Sequence, residues 1–253
     1  MATSGSYDYS TSATNIITDA LSEIGALAAG ETIDSNDQAL ALRELNRMVK
    51  HWQVSGHNLW TRTRGEITLI DNGTNADKGT DSDPYTLTYD AGAGEDFNDF
   101  RPLRIENMRY LDNNGYERPM EEISRDEYDR LPEKDSANTP TLFHYDPQVG
   151  TGKLYIWPIL SSSLTGTHKL VFTCQRPIED FDAVGNEPDF PQEWYETLVY
   201  GLAARLAPKF FPQDVNMHQR LMQVAGMKLN ECLSYDKETA SSFFVLGRKY
   251  RHG

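Results

Sequence analysis

Cysteine is nearly absent from these 253 residues: Cys174 and Cys232 are the only two, and they lack the spacing of a redox or metal motif. They read as buried free thiols, and they exclude a disulfide framework. Positive charge is also short, with 24 Lys and Arg against 38 Asp and Glu and a formal net charge of −14. That balance excludes a protein that grips nucleic acid by neutralising phosphates, which takes clustered cations. No apolar run reaches the roughly 18 residues of a membrane span, and the opening MATSGSYDYSTSAT is polar, with no basic segment leading into an apolar one. The expectation is a soluble chain made in a cytoplasm, without a membrane partner. Catalytic strings are missing too: six histidines occur without HExxH, CxxC or GxSxG.

What is present is an order of patterns. Residues 1 to 11 are rich in Ser, Thr and Tyr and read as a mobile arm that orders on a partner. Ile17, Leu21 and Ile24 then share a helical face that Gly25 and Gly30 can end. Ser35 and Gln38 have capping-box spacing ahead of a second helix with Leu42, Leu45, Val49 and Trp52 on one face, ended by Ser55 and Gly56. After Arg64 the period changes to two. Strands are expected near 66–70, 85–89, 104–111, 141–145, 153–157 and 169–175, with hairpin chemistry at Asn113-Asn114-Gly115 and a short helix between Ser124 and Leu131, where Ser124 and Glu127 repeat the capping-box spacing. Residues 176 to 190 are acidic and irregular. Helical periodicity returns at Pro191, placed as a first helical residue with Asp189 near enough to cap, and carries Trp194, Leu198, Leu202 and Leu206. Pro208 and Pro212 bracket a turn before a last helix from Asp214 to Tyr235, with Leu221, Val224, Lys228 and Cys232 near one face.

This order predicts an α+β protein: a helical bundle made by the N- and C-terminal helices, an inserted antiparallel β domain, and an extended C-terminal tail. The expected boundaries are 1–62 for the arm and first helical pair, 63–190 for the β domain, 191–236 for the returning helices and 237–253 for the tail. The tail sets Phe243, Phe244, Val245 and Leu246 beside Arg248, Lys249 and Arg251, an apolar patch with a basic tip on an acidic chain. Three cations cannot offset the acidity of the whole, so a nucleic-acid patch fits less well than a peptide that docks in an acidic groove on a protein. A solvated, unstructured end is the plain alternative.

Sites for chemistry are few. His51 and His57 lie six apart and point to different faces, against a shared metal. The loop Asp71-Asn72-Gly73-Thr74-Asn75-Ala76-Asp77, followed by Asp81 and Asp83, has oxygen ligands but lacks the glycine and terminal glutamate of a calcium loop. It reads as a solvated connection. Glu95, Asp96 and Asp99 form the densest acidic cluster, read as a hydrated loop with a carboxylate pair for hydrolysis as the rival. Tyr155-Ile156-Trp157 reads as core, with a sugar-binding face as the rival. No cofactor, metal or catalytic residue is expected.

Specific residues, in order, resemble a family. Leu27-Ala28-Ala29-Gly30-Glu31, Ala39 to Met48 with Trp52, Arg101-Pro102-Leu103-Arg104-Ile105-Glu106, Glu122 to Tyr128, Thr139-Pro140-Thr141, Leu154 to Pro158, and Phe190-Pro191-Gln192-Glu193-Trp194 with Leu202-Ala203 and Leu206-Ala207-Pro208 together look like the head-to-tail adaptor of short-tailed bacteriophages, the packaged-DNA stabilisation or tail accessory factor group. The likeness runs from about residue 14 to 235. It implies a structural, non-enzymatic protein of the virion's head–tail junction, made in the host cytoplasm. It further implies a ring of identical subunits, most often twelve, beneath the portal ring, with genomic double-stranded DNA passing through the lumen without specific binding. Tail nozzle, fibre or spike proteins would attach to the β domain, and the segment from Phe243 to Arg251 would reach into the portal. A cell-wall or polysaccharide hydrolase and a receptor-binding tail module are the readings it competes with.

Overall fold

The computed structural model describes residues 5–28, 30–54, 59–69, 78–89, 96–164 and 167–236. The protein is α+β, with five α-helices and an antiparallel-rich curled sheet among the described residues. Two compact units divide the chain: Trp60–Asp180, and the residues on either side, up to Leu59 and from Phe181.

The helical unit holds α1 (Ala13–Glu23), α2 (Ser35–Val54), α4 (Tyr195–Phe210) and α5 (Val215–Tyr235). Ser12 caps α1, and Gly25, at φ +72°, ends it as expected. There the N–H of Gly25 donates to Ser22 and that of Ala26 to Leu21, a left-handed exit that an L side chain rarely adopts. α2 is capped one residue earlier than its spacing suggests. The Asp34 carboxylate accepts from the Asn36 N–H at 2.8 Å and its carbonyl from the Gln38 N–H at 2.9 Å, because an ionised acceptor in reach outcompetes the Ser35 hydroxyl.

α4 is the element on which α1, α2 and α5 all pack. Its Leu198, Leu202, Ala203, Leu206 and Ala207 are wholly buried. A Cβ on Gly201 would stand 2.7 Å from the Met48 sulfur and 2.9 Å from the Trp52 ring, so glycine here permits the close crossing of α2 and α4. Trp52, Phe190 and Trp194 close one end of this core, their ring centroids 5.8–6.5 Å apart. The entry to α4 differs from expectation. Pro191 precedes a 3₁₀ turn, Gln192–Trp194, that no side chain caps, and Pro208 lies inside the last turn of α4 instead of ending it. The arm is tethered within its own chain: Tyr9 packs on Tyr195 at 5.8 Å and the Tyr7 carbonyl accepts from Gln192 at 2.9 Å.

Glu44 joins α2 to α4 through charge. Its buried carboxylate accepts from Lys209 at 2.9 Å and from Arg47 at 2.5 Å. Burial alone would raise its pKa, but the two cations outweigh that and hold it below the usual glutamate value. A depressed folded pKa means stability that is present above the ordinary value of 4.5 and lost as pH falls through the lower folded one. Glu44→Gln is therefore expected to cost about 1–3 kcal/mol at pH 7, the scale of hydrogen bonds to charged groups. Urea unfolding should show that deficit shrinking as the pH is lowered below 4.5; a deficit that does not change with pH would refute it.

The second unit is a seven-stranded sheet in the order β1-β9-β3-β4-β6-β7-β2. Its strands are β1 (Arg62–Thr68), β2 (Tyr85–Thr88), β3 (Arg104–Leu111), β4 (Glu117–Glu122), β6 (Leu142–Asp146), β7 (Thr151–Trp157) and β9 (Lys169–Gln175). All neighbours are antiparallel except β4 and β6. β5 (Ala137–Asn138) and β8 (Ile159–Leu160) form a separate parallel pair. Sequence periodicity finds about six strands and misses β4, β5 and β8. The turn at Asn113-Asn114-Gly115 is as expected, with Asp112 Oδ1 accepting from two backbone N–H groups. So is α3 (Arg125–Asp129), which carries the full Ser124–Glu127 capping box.

The inner face of the sheet gathers Ile67, Tyr85, Leu87, Met108, Phe143, Ile156, Leu170 and Phe172, all at most 2 % exposed. Its outer face carries ion pairs from strand to strand, among them Arg62–Glu106 at 2.7 Å and Lys169–Glu66 at 3.0 Å. The unit opens and closes at one place: β1 and β9 pair along their whole length, Arg62 opposite Gln175, and the Arg176 N–H donates to the Thr61 carbonyl at 2.9 Å.

Candidate functional site

Of the acidic candidates, Asp81, Asp83 and Asp96 are held in ion pairs. Glu95 and Asp71 to Asp77 lie outside the described residues, as does His57. Asp96 does not sit in a hydrated loop: its side chain is 8 % exposed and meets Lys78 Nζ at 2.9 Å. The same Asp96 Oδ2 accepts from the Thr86 N–H at 2.7 Å and the Thr86 hydroxyl at 3.0 Å. Lys78 also reaches Asp83 and the Pro84 carbonyl and stands 5.2 Å over the Tyr85 ring. Burial alone would lower the Lys78 pKa; Asp96 and Asp83 outweigh it and hold the ammonium above its usual value. A carboxylate so fixed is poorly placed to trade protons with a substrate. Asp99 is exposed and His51 stands exposed in the last turn of α2. Among the described residues no group of three His, Cys, Asp or Glu could hold a metal ion.

The aromatic candidates are occupied by their own chain. Ile156 is buried, and Tyr155 packs against Tyr128 and His144 at 5.3 and 5.8 Å, with the Arg125 guanidinium 5.0 Å above its ring. The Trp157 indole N–H donates to the Glu133 carbonyl at 2.8 Å. Burial lifts the Tyr128 hydroxyl well above the usual tyrosine range. Beside this stack lies a surface depression of about 250 Å³ lined by Thr80, Asp81, Ser82, Lys134 and Asp135. Two of its three charged residues are already paired, since Asp81 accepts from Arg125 at 2.8 Å and Lys134 at 3.0 Å, which together hold its carboxyl below the usual range against the effect of burial. The two cysteines are free. Cys174 is buried, which pushes its thiol up to about 12.

What remains is the end of the helical unit. Asp214 caps α5 by accepting from the Met217 N–H at 2.9 Å. Leu221 is the one residue of α5 that is fully buried; Thr197 of α4 meets the Cys232 sulfur at 3.1 Å, and Lys228 pairs with Glu196 at 3.0 Å. At the far end the Asp236 carboxylate accepts from the Leu59 N–H through both oxygens, at 3.1 and 3.2 Å. Phe243, Phe244, Val245, Leu246, Arg248, Lys249 and Arg251 lie outside the described residues. The segment that contains them therefore departs from a fixed root, the last turn of α5 held to the chain that follows α2. The sequence does not announce that root, because Leu59 and Asp236 are 177 residues apart.

No helix among the described residues is long and apolar enough to cross a membrane. Comparison with curated proteins yields no match. A family model described as SU10 adaptor protein matches residues 11–242, all but the first ten and last eleven.

Proposed function

Because the chain belongs to the SU10 adaptor protein family, we propose that it is the structural head-to-tail adaptor of a short-tailed bacteriophage, placed at the head–tail junction of the virion. In this reading the helices of 1–62 and 191–236 form a bundle, and bundles packed side by side close a ring, most often of twelve copies, beneath the portal. The ring extends the DNA channel after packaging, and the β domain receives nozzle, fibre or spike proteins. Heterologous contacts suit such a ring, since they close when the rotation between neighbours does. A net charge of −14 suits the channel, since a wall of like sign does not hold the duplex that slides past it. The family match over nearly the whole chain carries the reading. The pairing of the buried Asp96 with Lys78 weighs against a hydrolase.

Residues 237–253 are the proposed portal anchor, with Phe243, Phe244, Val245 and Leu246 as the buried part and Arg248, Lys249 and Arg251 as the charged tip. Native mass spectrometry of the purified chain mixed with the portal ring from the same genome tests this. Full-length protein is expected to add stoichiometrically, and a version ending at Asp236 is expected not to. If the shortened chain adds equally well, the anchor assignment falls; if neither adds, the adaptor reading falls.

A further inference from the structure

The fold gathers a basic surface that the net charge conceals. On α2 the charged residues from Gln38 to Val54, His51 aside, are Arg43, Glu44, Arg47 and Lys50, and on α4 from Thr197 onward they are Arg205 and Lys209. Five cations thus accompany one carboxylate, on a chain whose net charge is −14. Arg43 and Arg47 stand four residues apart, as do Arg205 and Lys209, so each pair shares one side of its helix, about 6 Å apart along the axis. Glu44 sets the two pairs side by side, because its buried carboxylate takes Arg47 from α2 and Lys209 from α4.

Bracing the helices accounts for only two of these side chains. Arg47 keeps 64 % and Lys209 39 % of its side chain exposed while bonded to Glu44, and one carboxylate cannot neutralise both. Arg43 is exposed and Arg205 half-buried, and neither has an ion-pair or hydrogen-bond partner among the described residues. Two free guanidinium forks beside a pair already in surplus suit an anion that carries several charges.

The kind of anion follows from what is missing. No large apolar side chain is exposed on α2 between Ala39 and His51, or on α4. A docking site for an acidic protein is anchored by apolar and aromatic groups inside a polar rim, whereas a nucleic-acid backbone needs cations and little else. We propose that Arg43, Arg47, Arg205 and Lys209 form a seat for the phosphates of duplex DNA. The seat is small and belongs to an acidic molecule, so it touches the duplex without gripping it. That these are the phosphates of the passing genome rests on the adaptor reading; the seat itself rests on the charge pattern.

Fluorescence anisotropy of a labelled duplex of about 20 base pairs, titrated with the full chain between about 20 and 150 mM salt, tests the seat. Affinity should fall as salt rises. The double variant Arg43→Gln, Arg205→Gln should bind about tenfold or more weakly at about 20 mM salt and flatten the log–log salt slope by about 2, since each phosphate contact contributes about 0.9. Glutamine forms helices about as well as arginine, so circular dichroism should stay unchanged. Arg118→Gln removes an exposed cation of β4 and should leave binding as it was. Poly-glutamate of equal charge should bind more weakly than the duplex. A wild type that does not bind duplex at about 20 mM salt overturns the inference, as does a double variant that binds like the wild type. So does poly-glutamate binding as well as the duplex, which makes the site a seat for an acidic protein. A chain that binds duplex yet does not add to the portal ring keeps the seat and removes the adaptor reading; one that adds to the portal without binding duplex does the reverse.

Discussion

Lys78→Met should lower the stability of the Trp60–Asp180 unit by about 3–5 kcal/mol, the cost of leaving a buried charge without its partner. Lys78 is 11 % and Asp96 8 % exposed at the side chain, so the carboxylate orphaned by the substitution cannot be rescued cheaply by water. The Thr86 N–H and hydroxyl stay in place and place the effect at the lower end of that range. Methionine keeps most of the lysine stem, so packing over Tyr85 survives and the loss reports charge. The double variant Lys78→Met, Asp96→Asn should recover at least half of it, because an amide oxygen still accepts from Thr86 without requiring a counter-charge. Urea unfolding of the full chain measures all three. A single variant within 1 kcal/mol of wild type would mean that the pair is solvated and contributes as little as surface pairs do.

Gly65→Ala is expected to cost about 3 kcal/mol, the upper end of what one inserted methyl does to a packed core. Gly65 sits opposite Phe172 in the β1–β9 ladder, and a Cβ there would stand 2.3 Å and 2.5 Å from two atoms of the ring. That ring cannot retreat: Phe172 is fully buried and Phe97 packs edge-on against it at 5.4 Å. Replacing Phe172 with leucine in the Gly65→Ala background should restore part of the loss, since the obstacle is the ring and not the backbone. Gly115→Ala is the contrast. There φ is +85° and nothing lies near, so the cost is backbone strain alone, about 1–2 kcal/mol. Thermal melts in which Gly65→Ala is as mild as Gly115→Ala would show that the β1–β9 pair yields more readily than its packing implies.

These two positions mark where sequence reading stops. Elements fixed by neighbours in the chain are legible: Ser124 and Glu127 make their capping box, Asp214 opens α5 and Gly25 closes α1. β4 is not, because Glu117-Arg118-Pro119-Met120-Glu121-Glu122 buries only Met120, and its parallel match to β6 depends on residues about twenty places on. Lys78 and Asp96 read as parts of two polar loops, since nothing periodic links them; only the fold brings them to 2.9 Å. Asp34 displaces Ser35 as the cap of α2 because two good caps stand side by side and spacing alone does not rank an ionised acceptor above a hydroxyl. Residues 237–253 stand out by composition alone, an apolar patch beside a basic tip on an acidic chain.

The pairing of β1 with β9 makes the sheet unit a detachable cassette. Its first and last strands are hydrogen-bonded neighbours, so its two ends lie about 5 Å apart, a gap that a residue or two can span. Lineages can therefore exchange, enlarge or delete everything between Thr61 and Arg176 while the helical part of the chain keeps its continuity. Diversity among relatives should accordingly be concentrated in the cassette and sparse in the helices. For protein engineering, Thr61 and Arg176 are the points at which a foreign domain with adjacent termini can be grafted.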